Sequence, residues 1–139
     1  MTRFFYLFYL LSVFTYCIEH KERIDLPSDS KLRVGVKHRP LQCERKSSSG
    51  DLISIHYDAE LYKNGKEIDS SREREQVFRF TLGSKTVISG LDKGLLNMCI
   101  SERRKLTIPS DLAYGSVGAG HSIPPSATLV YDVELIGIE

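Results

Sequence analysis

Residues 51–66 read DLISIHYDAELYKNGK, and this stretch decides the fold class. Ile53, Ile55, Tyr57, Ala59 and Leu61 alternate with Ser54, His56, Asp58 and Glu60. A period of two sends side chains to opposite faces of a strand. One apolar face and one polar face point to an antiparallel sheet with one side buried and the other wet. Asn64-Gly65 then favours the positive φ angles of a tight hairpin, so residues 67–69 are expected to return as a second strand.

Working outward, Val77–Leu82 reads as a strand with Phe78, Phe80 and Leu82 on one face. Between the strands, Ser70–Gln76 reads as a charged, solvated loop. From Ile88 to Met98 the period changes. Leu91, Leu95 and Met98 fall at i, i+4 and i+7, the stripe of one short helix. Ser89 is its expected N-cap and Asp92 lies in its first turn, while Gly90 and Gly94 weaken it. Arg103–Pro109 reads as a strand. Residues 110–125 form a loop with three glycines and two prolines, and Ser126–Ile138 closes the domain as a long strand. Its inner face is expected to carry Ala127, Leu129, Tyr131, Val133 and Leu135. Upstream, Lys31–Arg39 alternates weakly, with Leu32, Val34 and Val36 on one side, Gly35 at a bulge and Pro40 ending the strand. The sum is an α+β domain over residues 31–139, a curved antiparallel sheet wrapped around one short helix.

Composition narrows the function. Nineteen basic and 18 acidic residues leave a net charge of +1, so no strong field draws nucleic acid or an anionic membrane. The apolar run over 4–14 is too short to span a bilayer comfortably. It follows Arg3 and holds seven of the chain's aromatics by residue 16 (Phe4, Phe5, Tyr6, Phe8, Tyr9, Phe14 and Tyr16). A basic start, an apolar stretch and the small or polar Ser12, Thr15 and Cys17 read as a signal peptide over residues 1–17. The bland alternative is a buried N-terminal helix. Residues 18–30 read as a flexible arm. Cleavage would leave no membrane span, and Cys43 and Cys99 as a natural disulfide pair in an oxidising compartment, unless they are two unrelated buried thiols.

The usual reactive sites are missing. Gly115-x-x-Gly118-x-Gly120 has the wrong order and context for a dinucleotide fingerprint. His38, His56 and His121 are scattered without metal-ligand spacing, so no metal is expected. No phosphate loop or nucleophile elbow occurs, and Cys99 sits between Met98 and Ile100 in apolar surroundings.

The remaining motifs resemble the FKBP-type peptidyl-prolyl cis-trans isomerases over essentially the whole of residues 31–139. The matching fragments include His56-Tyr57, Ile68-Asp69-Ser70-Ser71-Arg72, Phe78-Arg79-Phe80-x-Leu82-Gly83 and Val87-Ile88-x-Gly90-Leu91-Asp92-x-Gly94-Leu95. Arg104-Lys105-Leu106-Thr107-Ile108-Pro109, Ala113-Tyr114-Gly115, Ile123-Pro124-Pro125 and Ala127–Leu135 follow in family order. The cysteine pair and leader resemble the secretory-pathway branch, in the endoplasmic reticulum lumen or secreted. The resemblance implies a pocket between concave sheet and helix, walled by Tyr57, Ile68, Phe78, Val87, Ile88, Ile123 and Tyr131, with Leu91 as its floor. It implies Tyr114 and Asp69 as the polar groups and Arg74 as support for Asp69. Arg72, Glu73 and Glu75 are expected to be solvated.

The implied activity is rotation of X-Pro bonds in client polypeptides by a monomer without a cofactor. Leu91 stands where most active members have Trp, Ile68 where many have Phe, and Tyr131 where Phe is common. The first two remove aromatic surface, so reduced efficiency and weaker binding of macrolide immunosuppressants are expected. The rival function is a low-turnover module that holds proline segments.

Overall fold

A computed structural model describes residues 22–139; the expected leader over residues 1–17 lies outside them. Strands β1 (Arg33–His38), β2 (Leu52–Leu61), β3 (Glu67–Ser70) and β4 (Phe78–Thr81) precede helix α1 (Ser89–Gly94). Strand β5 (Arg103–Ile108), a 3-10 turn (Ser110–Leu112) and β6 (Leu129–Ile138) complete the chain. The six strands form one antiparallel sheet in the order β1-β5-β6-β2-β3, and β4 also pairs with β2.

Strand β2 is central, and its alternation is realised residue by residue. Ile53, Ile55, Tyr57, Ala59 and Leu61 are buried, and the residues between them are half-buried. One side of β2 runs along β6. The other side is shared: Leu52–Ile55 pair with β4, and Asp58–Glu60 with β3. The chain between β3 and β4 leaves the sheet beside Tyr57.

The buried stripe Leu91, Leu95 and Met98 packs onto the concave face with Leu106, Ile108, Leu129 and Val133. The two helix glycines are packing devices. A Cβ on Gly90 would lie 2.4 Å from Ile108 Cγ2, and one on Gly94 would lie 2.6 Å from Leu106 Cδ1. Their loss of helix propensity is exchanged for close approach of α1 to β5.

Several expectations are corrected. Ser89 is the first helical residue; Ile88 occupies the N-cap, and no side chain caps that end. Asp92 instead accepts the N–H groups of Gly83 and Lys85, at 2.9 and 3.1 Å, and so holds the turn before Val87. The Asn64-Gly65 turn is looser than a two-residue hairpin: Leu61 N–H bonds to Lys66 O, and only Gly65 has a positive φ, 71°. Strand β1 is an edge strand, so its inward-facing Val34 and Val36 remain 44% and 47% exposed. Its bulge lies between Val36 and His38, past Gly35. The described part of the 18–30 arm is tied down by hydrogen bonds from Arg23 to Lys63, Leu26 to Thr128 and Asp111 to Ser28. Backbone donors and acceptors there find partners in the domain, which a loose arm would leave to water.

Candidate active site

Tyr57 sits where β2 loses its neighbour between β3 and β4. Ser71 fills that gap. Its N–H donates to Tyr57 O at 2.9 Å, and its hydroxyl accepts from Tyr57 N–H at 2.7 Å. Ser71 is fully buried, so these bonds replace the missing ladder without water. The Tyr57 ring meets Phe78 edge-on, with centroids 5.8 Å apart, and lies 5.6 Å from Tyr131. Three aromatic rings from three strands thus line one side of the concave face.

The polar edge is built on the same tyrosine. The Tyr57 hydroxyl donates to the Asp69 carboxylate, and Arg74 donates to both groups. The Arg74 guanidinium carbon also lies 5.8 Å from the Tyr57 ring centre. Burial, then the bond to Asp69, push the Tyr57 phenol above its ordinary value. It therefore stays protonated and donates.

Arg72 is not the solvated residue expected from its charged neighbourhood. It donates to Asp58 at 2.6 Å, and Ser70 donates to the other Asp58 oxygen at 2.5 Å. Ser70 and Ser71 are buried too, which corrects the solvated-loop reading at its first two positions; Glu73 and Glu75 are exposed as expected. These bonds fix both ends of the segment that presents Asp69 and Arg74. Charge pattern alone could not reveal them, because Asp58 lies on the polar side of β2 and pairs across strands.

Helix α1 supplies the other wall. Val87 and Ile88 are half-buried against the core, and Leu91 is buried beneath them. Ile88 O accepts the N–H groups of Leu91 and Asp92. Its own N–H makes no hydrogen bond among the described residues. A helix start without a cap leaves backbone N–H groups available to donate.

The third side is the loop after β5. Gly115 N–H and Ala113 N–H both bond to Ser110 O, at 2.8 and 2.9 Å, which turns Tyr114 outward to 39% exposure. Ile123 is half-buried against the core and bridges to Ala119. Burial pushes the Tyr131 phenol far up, and Tyr114, Tyr57 and Asp69 add to the shift in that order. Of these, Tyr57 meets the Tyr131 ring and bonds to Asp69 directly. Ile68 packs half-buried against the core beside Asp69. Among the described residues, no group of three or more His, Cys, Asp or Glu could hold a metal ion.

The far end of α1 has a support that sequence reasoning missed. Arg104 donates to the carbonyls of Gly94, Leu96 and Asn97, at 2.9, 2.7 and 3.0 Å. It also pairs with Glu102, whose side chain is fully buried and bonds to Arg39 as well. Burial alone would raise the Glu102 carboxyl, but hydrogen bonds from Arg104 and Arg39 outweigh it and hold the group below its ordinary value. Cys99 N–H reaches Glu102 too, and Cys99 is disulfide-bonded to Cys43. The signal was present: β5 alternates, and Arg104 shares the parity of the inward Leu106 and Ile108.

A family model described as FKBP-type peptidyl-prolyl cis-trans isomerase matches residues 43–136. The chain belongs to that family. "FK506-binding protein 2" of Dictyostelium discoideum is 52% identical over 112 residues, covering 81% of this chain and 83% of the relative. "Peptidyl-prolyl cis-trans isomerase FKBP2" of Homo sapiens is 51% identical over 109 residues, 78% of this chain and 76% of the relative. Among solved structures, "Crystal structure of AtFKBP13" superposes with a TM-score of 0.71 at 35% identity, covering 81% of this chain and 96% of that one. This FKBP-type chain is thus a peptidyl-prolyl isomerase in fold and in family, and the concave face is where its geometry concentrates.

Proposed function

We propose that this isomerase rotates X-Pro bonds of secretory-pathway polypeptides in the hollow between the concave sheet and α1. The observation that carries the reading is the aromatic set Tyr57, Phe78 and Tyr131, with Val87 and Ile88 of the uncapped helix start packed against the same core cluster. Tyr57, Ile68, Phe78, Val87, Ile88, Ile123 and Tyr131 form the walls and Leu91 the floor. The Tyr114 hydroxyl and Ile88 N–H hold the substrate carbonyls. Asp69, braced by Tyr57 and Arg74, sets the polar rim.

Rotation breaks no covalent bond. The barrier of roughly 18–20 kcal/mol is the conjugation lost when the amide twists. A planar amide is more polar than a twisted one, so an apolar, water-poor hollow disfavours the planar state and lowers the barrier between the two isomers. An acceleration of ~10⁴ requires about 5–6 kcal/mol. One neutral hydrogen bond contributes only about 0.5–1.5 kcal/mol. Tyr114 therefore assists, and the environment supplies most of the effect.

The Cys43–Cys99 bond supports an oxidising compartment, the endoplasmic reticulum lumen or the secreted space. Leu91 at the floor favours one second reading, a proline-segment binder of low turnover, and it weakens the fit for macrolides such as those the relatives are named for. A protease-free isomerisation assay on a proline tetrapeptide, run on the oxidised protein, separates the two. Turnover well above the spontaneous rate, lost in Val87→Trp, supports the enzyme; peptide binding without turnover supports the module.

A further inference from the structure

Residues 23–28 lie outside the stretch matched by the family model, yet they are bonded to both ends of the loop that carries Tyr114 and Ile123. At the start of that loop, Asp111 N–H donates to Ser28 O at 3.2 Å. At its end, a reciprocal clasp forms. Thr128 N–H donates to the Asp25 carboxylate at 3.1 Å, and Leu26 N–H donates to the Thr128 hydroxyl at 2.9 Å. Thr128 is fully buried, and Asp25 and Leu26 are half-buried. The segment is anchored again upstream, where Arg23 N–H donates to Lys63 O at 2.8 Å and its guanidinium carbon lies 5.2 Å from the Tyr62 ring centre. Between the pins, the loop's own bonds cluster at its turns: Leu112 N–H to Pro109 O, Ala113 and Gly115 N–H to Ser110 O, Gly118 N–H to Tyr114 O and the reciprocal Ala119–Ile123 pair, with Ser126 N–H to Gly115 O closing the base.

We infer that residues 23–28 are a strap that positions the Tyr114 loop, with Asp25 and Thr128 as its positioning residues. A loop of this length has an entropic tendency to spread. Pinning both ends to one neighbouring segment narrows the positions open to the phenol at 114 and the apolar side chain at 123. Neither Asp25 nor Thr128 touches substrate; each acts through the loop. This inference rests on the proposed site, because the strap matters to turnover only if Tyr114 and Ile123 meet the substrate.

The test compares Asp25→Ala, Asp25→Asn and Thr128→Val with the unaltered oxidised protein. Asn keeps the acceptor oxygen, so it should restore what Ala removes. Isomerase kcat/KM is expected to fall three- to tenfold in Asp25→Ala and Thr128→Val at temperatures where both are fully folded. The double variant should lose less than the product of the two, because both changes open one clasp. Amide exchange of Gly115 and Ser126 should quicken in the Ala variant, while Ile55 and Val133 keep their protection. Unchanged exchange at Gly115 and Ser126 overturns the strap, whatever the turnover. Quickened exchange with unchanged kcat/KM also overturns it as a device of catalysis. No turnover in the unaltered protein sinks the proposed site instead, and the exchange data still decide whether the strap holds the loop. If Thr128→Val fails to fold, Asp25→Ala against Asp25→Asn decides alone.

Discussion

The two ends of helix α1 are finished in opposite ways. At Ile88 the helix begins without a capping side chain, with an N–H that bonds to nothing among the described residues. Apolar side chains stand around it. At Gly94 the helix ends against a buried guanidinium that takes three carbonyls, and Glu102, Arg39 and the Cys43–Cys99 bond stand behind it. Helix ends leave unsatisfied groups at both termini, and a protein normally answers both. Here Arg104 answers the end at Gly94, and the end at Ile88 carries no cap. A six-residue helix cannot hold itself in water. The tied end therefore makes the open end possible: it fixes the helix, so Ile88 and Leu91 can pack on the core without a cap of their own.

The largest expected effect comes from breaking the tied end. Arg104→Met leaves Glu102 buried with Arg39 as its remaining charged partner and frees three carbonyls. Removing one member of a buried pair costs about 3–5 kcal/mol, so the denaturation midpoint should fall steeply. A shift worth under about 1 kcal/mol would mean that the end is held by packing alone. Next, replacing both Cys43 and Cys99 with Ser removes a link between residues 56 apart in sequence, with an expected loss of about 2–4 kcal/mol by the same measurement. Smaller still is Gly90→Ala, beside the open end. Its methyl would press on Ile108, and overpacking of this kind costs about 1–3 kcal/mol. If Gly90→Ala instead stabilises the protein, helix propensity governs that position and close packing does not.

The same contrast marks where the sequence could be read. The apolar side of β2, the Leu91–Leu95–Met98 stripe and the inner face of β6 follow from period alone, and with them the sheet wrapped on a helix. At the start of α1, Val87, Ile88 and Leu91 lie in a recognisable run, but the missing cap was not legible, because Ser89 reads as the N-cap that the structure does not use. The tied end was not seen. Arg104 looks like one charge among several in Arg103-Arg104-Lys105, and only its parity within β5 marks it as buried. Gly90 and Gly94 looked like weaknesses of a helix until Leu106 and Ile108 were placed against them. Ser70, Ser71 and Arg72 read as a solvated loop because their partners, Tyr57 and Asp58, come from another strand. Asp25 and Thr128 are 103 residues apart, a separation that no local pattern spans.

The most direct measurement is a pair of kcat/KM values from the protease-free assay, one for Tyr114→Phe and one for Val87→Trp. Both proteins should first match the parent in folding. If the dry apolar environment does most of the work, the lost hydroxyl lowers activity only about two- to tenfold, the worth of one hydrogen bond. The indole that fills the hollow should remove activity altogether. Equal losses in the two variants, or a larger loss from Tyr114→Phe, would contradict it.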